Sequence, residues 1–162
     1  MPKVRSLGLG LRSNLLPFAA LSFIVFLVGA LLGVERVTVP LIGHQVYHIT
    51  QSWTLSFIVS FGVTKALVNL GAGRWSDRIG RRRLLIAGWL VAVPMVAVVL
   101  LVHRWWAVVL GNICLGANQG LAWTMTVTAQ LDLVAPRERG LAMGINEGMG
   151  YLGVAATTVL AA

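Results

Sequence analysis

Charged residues are scarce in this chain of 162 residues: they make up 11% of it, against 57% hydrophobic, where a soluble domain carries roughly a quarter charged. Such a chain reads as embedded in lipid. Acids are scarcer still, five against thirteen Lys and Arg, for a net charge of +8. In a soluble protein that excess would point to nucleic acid. Here the basic residues sit between long apolar runs, so they read as determinants of membrane topology and no nucleic acid partner is expected. Cysteine is down to one, Cys114, inside an apolar run, which excludes an intrachain disulfide and a multi-cysteine metal site. No Ser/His/Asp set, Gly-rich phosphate loop or metal-ligand cluster occurs, and Gly8 and Gly10 do not follow a strand. Neither an enzyme nor a bound cofactor or metal is expected. His44 and His48, four apart, would share a face as metal ligands only on a helix and lack a third ligand; they read as ordinary interface residues.

What the chain does have is long apolar runs. A span needs about 20 mostly apolar residues to cross a hydrocarbon core of roughly 30 Å. Five segments meet that length, at about 15–40, 52–70, 84–102, 105–129 and 140–162, with Pro40 ending the first. Lipid offers no partner to stray backbone groups and no alternating strand pattern appears, so each segment is predicted helical. The expected fold is all-α, a polytopic transmembrane helical bundle in a single incomplete domain. The basic start, Lys3, Arg5 and Arg12, followed by a long apolar stretch, reads as an uncleaved first span.

Loop charge sets the orientation. Lys3, Arg5, Arg12, Arg74, Arg78, Arg81, Arg82, Arg83, Arg137 and Arg139 fall on one side, and only Arg36 and Arg104 on the other, with Lys65 left inside a helix. That bias puts the amino terminus in the cytoplasm of a cell-membrane protein, and five spans put the other end outside. Tyr47, Trp53, Trp105 and Trp106 then lie at outward ends, where amphipathic rings favour the headgroup level.

The segment between the second and third spans reads Gly73-Arg74-Trp75-Ser76-Asp77-Arg78-Ile79-Gly80-Arg81-Arg82-Arg83. On the residues alone, Gly73 and Gly80 permit a tight turn, Asp77 can accept hydrogen bonds from a helix amino end, and the arginines favour the cytoplasmic face. The positive-inside rule accounts for the arginines but not for the Gly-x-x-x-Asp-Arg-x-Gly frame. That frame resembles the signature loop of the major facilitator superfamily, with Trp75 and Ser76 where Leu and Ala are more usual. Two further stretches resemble the same family: Asp132, Pro136, Arg139 and Gly140, a slightly looser version of its loop between helices four and five, and Glu35-Arg36 before Pro40, like the acidic, proline-terminated end of its first helix. The resemblance implies the amino-terminal half of a secondary transporter. It implies a gating loop of Gly73, Asp77, Arg78, Gly80, Arg81 and Arg82 that joins the cytoplasmic ends of the two halves in one state and releases them in the other. It also implies a loop charge network through Asp132 and Arg139. Many proton-coupled drug antiporters of the family carry an arginine in helix four, and none lies between Arg104 and Arg137 here.

Ionisable groups inside lipid are costly and mark a path, a relay or a pair by default. Lys65 and Glu147 are the clear cases. Lys65 precedes Arg74 by nine residues and Glu147 follows Arg139 by eight, which puts both about 12 to 14 Å from the basic ends of their spans. They can pair across a common cavity or take substrate and proton in alternation, with Asn69 and Asn146 adding hydrogen bonds. The alternative is that Lys65 snorkels to the headgroups and Glu147 is structural. Asn112, Asn118 and Gln119 extend the same possible pathway, or else bond between helices. Gly29 and Gly33, Gly116 and Gly120, and Gly140, Gly144 and Gly148 recur at intervals that permit close helix approach.

Five helices are too few for an enclosed path. The resemblance implies a missing sixth helix and a second half, so transport by these five alone is not expected. The expected partners are the lipid bilayer, a small solute of unknown identity, and the missing transporter helices or a second chain. A small membrane module or an inactive remnant that needs another chain is the alternative.

Overall fold

The computed structural model describes residues 8–161. Lys3 and Arg5, two of the basic residues that set the topology, lie outside the described residues, as does Ala162. A 3-10 turn at Arg12–Asn14 leads into α1 (Leu15–Gln45), followed by α2 (Gln51–Ile79), α3 (Arg81–Leu101), α4 (Trp105–Leu133), a second 3-10 turn at Pro136–Glu138 and α5 (Arg139–Ala161). At 1.5 Å per residue, even the shortest, 21 residues long, spans the roughly 30 Å hydrocarbon thickness. Two stretches, residues 12–45 and 51–79, also have the apolar content of a span. α4 carries Asn112, Asn118, Gln119 and Gln130, and all four are buried inside the bundle. Outward, the bundle presents Leu16, Leu70, Val159 and Leu160, each more than three-quarters exposed. Apolar side chains outside and amides inside is the arrangement that lipid as solvent selects.

Several helices outrun their expected ends. α1 passes Pro40 and continues to Gln45. Proline costs a helix one hydrogen bond, but in lipid leaving the helix altogether would strand more backbone groups. α2 runs nine residues beyond its expected end at Leu70, and α4 four beyond Ala129. Both extensions include polar and charged residues, which lower hydropathy while the backbone remains helical. His48, at φ 50, lies beyond the end of α1, so His44 and His48 do not share a helical face. Trp105 is drawn into the bundle, edge-on to Tyr47 and Phe57 and donating from Nε1 to Ser56 Oγ at 3.0 Å, whereas Trp53 and Trp106 remain exposed.

α4 is the central helix. It packs against α2 on one side and α3 on the other, with lesser contact to α1 and α5, while α1 packs chiefly on α5. Glycines set these approaches. A Cβ on Gly29 would meet Gly150 of α5, and one on Gly33 would meet Val154 and Thr157; Gly116 and Gly120 sit in the same way against Phe61, Lys65 and Val68 of α2. On α5, however, a Cβ on Gly140, Gly144 or Gly148 would meet nothing of a neighbouring helix within 4 Å. The close approach there falls on Gly150 and Gly153, which face Trp123 and Phe26. Three glycines in register along α5 therefore do not mark its packed face.

The basic end of the bundle is tied by residues that spacing did not single out. Asn14 Nδ2 is within 2.8 to 3.1 Å of the carbonyls of Gly8, Gly10 and Leu133. Glu138 Oε2 accepts from the amides of Leu11 and Ala135. Together they fasten the start of α1 to the link between α4 and α5.

Candidate functional site

The signature segment is mostly helix. Gly73 to Ile79 form the last two turns of α2, with Gly73 exposed and in no turn, and the chain reverses at Gly80 alone. Gly80 has φ 91, a backbone conformation open to glycine and strained for other residues. One residue suffices to join α2 to α3 because α3 begins at once with Arg81. Asp77 and Arg78 lie exposed on the last turn of α2, and among the described residues neither makes an ion pair or side-chain hydrogen bond, so Asp77 does not cap a helix here. Arg82 is exposed as well. Arg81 is engaged: it pairs with Asp132 at the end of α4 and donates from Nη1 to the Thr128 carbonyl at 2.9 Å. The partner of Asp132 is therefore Arg81 across α3 and α4, while Arg139 remains exposed at the start of α5.

Arg81→Ala removes one exposed ion pair and one hydrogen bond. It is expected to lower stability by only about 1 kcal/mol, less at high salt, measured by thermal unfolding in detergent at two ionic strengths.

Midway along the bundle, Lys65 and Glu147 do converge. Both line a polar cavity of about 320 Å³ together with Asn69, Trp123, Thr124 and Tyr151. They do not form the direct ion pair that their depth suggested; no Lys–Glu contact within 4 Å joins them. The Trp123 indole stands between them instead. Its Nε1 donates to Glu147 Oε1 at 2.8 Å, and the Lys65 ammonium sits over its ring, 4.9 Å from the centroid. Tyr151 meets the same ring edge-on at 5.6 Å. An indole suits this position because its N–H satisfies an anion while its face attracts a cation. Thr124 donates to Asn69 Oδ1 at 2.9 Å, and among the described residues the Asn69 amide nitrogen makes no hydrogen bond. Arg36 lies outside this lining, over the rings of Phe61 and Phe57 at 4.9 and 5.8 Å. One cation, one anion, an amide and two aromatic groups can hold a small polar solute by charge, hydrogen bond and stacking.

The other expected pathway residues go elsewhere. Asn118 donates to the Gly88 carbonyl of α3 at 2.9 Å and Gln119 to the Val28 carbonyl of α1 at 2.6 Å, so both tie helices together. Asn146 is fully buried without a hydrogen-bond partner and does not line the cavity. Asn112 lines a different, apolar cavity between α1, α3 and α4. Spacing could not separate these roles, since residues on one helix six or seven apart share a broad face whose neighbours only packing assigns. Trp123 and Tyr151 were missed in the sequence: Trp123 is six residues from the expected end of its span, close to the interfacial belt, and ten from the end that α4 has.

Comparison with known proteins adds one match. No curated protein and no solved structure matches the chain. Residues 21–162, which take in nearly all of α1 and everything after it, match the family model described as Major Facilitator Superfamily. Five helices around a polar centre with an apolar exterior, the Gly80 turn of the signature segment and that match agree, and the chain belongs to the major facilitator superfamily of membrane transporters.

Proposed function

We propose that the chain is the amino-terminal part of a secondary active transporter that moves small solutes by alternating access, and that the cavity around Lys65, Trp123 and Glu147 is its contribution to the solute or proton path. The observation that carries this reading is the convergence, near mid-membrane, of two charges of opposite sign on one indole, each costly there without a function. Transporters of this kind bind substrate at the midplane between repeated units. Asp77 and Arg78 at the end of α2 and Arg82 at the start of α3 are exposed toward the facing half, with Gly80 as the pivot and Arg81 as the strut to α4. The ten-to-two bias of basic residues supports a cell membrane location with the amino end cytoplasmic.

Leu27, Leu31 and Val34, exposed along α1, favour a second reading, a small membrane module that needs another chain. Reading the source gene past codon 162 decides between them. A frame that continues with about six or seven more spans is expected; a stop with no apolar helix downstream would overturn the transporter reading.

A further inference from the structure

The cavity at Trp123 contains a cation and an anion that do not answer each other. Among the described residues, no contact within 4 Å joins Lys65 to Glu147, and the Lys65 ammonium donates no hydrogen bond. Oε1 of Glu147 is taken by the Trp123 N–H at 2.8 Å, while Oε2 has no partner. Neither atom is shut away. Both residues are half-buried and line the cavity. Their unpartnered atoms are accessible, unlike the enclosed amide oxygens of Asn118, Gln119 and Asn146.

Opposite charges inside a membrane ordinarily pair with each other. Here the indole keeps them apart, with Lys65 over its face and Glu147 at its N–H. On the α1 side the charge that shares the Phe61 ring with Lys65 is Arg36, another cation, so no anion reaches Lys65 from there. The chemistry of the missing partner follows by charge. A simple anion would satisfy Lys65 but add a second negative group beside Glu147, and a simple amine would do the reverse. Lys65 and Glu147 are the only charged residues in the lining, so a solute bearing both charges satisfies each end and leaves the site neutral. A hydrogen bond of about 2.9 Å at each end lets a small dipolar ion bridge charges that lie more than 4 Å apart. Asn69 follows Lys65 by one turn on the same face of α2. Its Oδ1 accepts from Thr124, so its amide nitrogen is a donor for a second carboxylate oxygen. At about 320 Å³ the cavity is at the small end of ligand sites, which run from about 300 to 1,000 Å³, the size of a single amino acid and not of a peptide.

We propose that the cavity takes an α-amino acid as its dipolar ion, with the carboxylate on Lys65 Nζ and Asn69 Nδ2 and the ammonium on Glu147 Oε2. Trp123 is then a positioning residue that prevents Lys65 and Glu147 from closing on each other. The proposal rests on the transporter reading for what becomes of the bound solute, while the binding itself is tested on the chain alone.

The test is saturation-transfer NMR on the chain in nanodiscs, with a mixture of the common L-amino acids as the probe and empty nanodiscs as the blank. At least one amino acid is expected to receive saturation from the chain and not from the blank. Its analogue without the ammonium and its analogue without the carboxylate are each expected to displace it at least about tenfold less well, the effect of losing one hydrogen bond to a charged group. Lys65→Met and Glu147→Gln, which keep side-chain length, are expected to weaken binding by a similar factor, with circular dichroism showing that the helices persist. Should either variant unfold, the analogue series still decides. No signal from any amino acid overturns the proposal, and so does an analogue with one charge that displaces its parent equally well. Binding that survives both variants overturns it too, because the amino acid would then sit elsewhere. The two readings fail separately. Loss of uptake of some other solute in the alanine variants of the complete transporter, with no amino acid bound, would sink this inference and leave the transporter reading standing; amino-acid binding by a chain whose gene encodes no further spans would do the opposite.

Discussion

Lys65→Ala and Glu147→Ala are each expected to reduce solute uptake by the complete transporter at least about tenfold, measured as initial uptake of candidate solutes in cells with equal amounts of protein in the membrane. The magnitude follows from what each side chain contributes at mid-membrane. The Trp123 N–H donates to the Glu147 carboxylate at 2.8 Å, and a hydrogen bond to a charged group is worth about 1.5 to 3 kcal/mol. Lys65 over the same ring adds a cation–π attraction of about 2 kcal/mol when desolvated. Removing either charge leaves the other on the indole without its opposite, so the two single variants are expected to resemble each other and the double variant to be little worse than either. Trp123→Phe retains the aromatic face for Lys65 but withdraws the donor from Glu147, and an intermediate loss is expected. Wild-type uptake in both alanine variants would retire the cavity as the path and return Lys65 to a snorkelling role.

Gly153→Val is expected to cost about 3 kcal/mol or more of bundle stability, measured by unfolding in graded detergent mixtures. Space decides this. A Cβ on Gly153 would press against the Phe26 carbonyl and come within 3.0 Å of the Ala30 amide nitrogen. These are backbone atoms of a helix and cannot rotate aside, so α1 and α5 must separate and lose the packing that holds them. Overpacking in a core costs typically 1 to 3 kcal/mol and more where the backbone must move. Gly29→Val, whose Cβ would meet Gly150 from the α1 side, is expected to behave alike. Gly144→Ala is the contrast: open space surrounds that position, and alanine favours a helix by up to about 1 kcal/mol over glycine. Equal stability of Gly153→Val and Gly144→Ala would show that α1 and α5 do not approach as described.

That contrast also shows where sequence reasoning stops. Gly140, Gly144 and Gly148 have the stronger spacing pattern, yet Gly150 and Gly153 make the contact, because a four-residue interval marks a face without saying what lies opposite it. The signature segment behaves in the same way. Its residues identified the family, but hydropathy ended α2 at Leu70 and left Gly73 to Ile79 as loop, since charge lowers hydropathy without unfolding a helix. Lys65 and Glu147 were found by their depth alone. Their connection through Trp123 was not, because an indole that joins a cation to an anion is defined by orientation, which spacing does not contain.

The sequence by itself determined that the chain is helical and lives in lipid, which side its basic residues favour, and to which family it belongs. Each of these follows from composition, run length or local order, and those quantities are written along one dimension. Only the tertiary structure decided that α4 is the centre, that Asp132 answers Arg81 and not Arg139, and that Asn118 and Gln119 tie helices while Asn69 lines the cavity. These depend on which helix faces which, and an apolar stripe is satisfied equally by lipid or by any neighbouring helix until packing at close range chooses one.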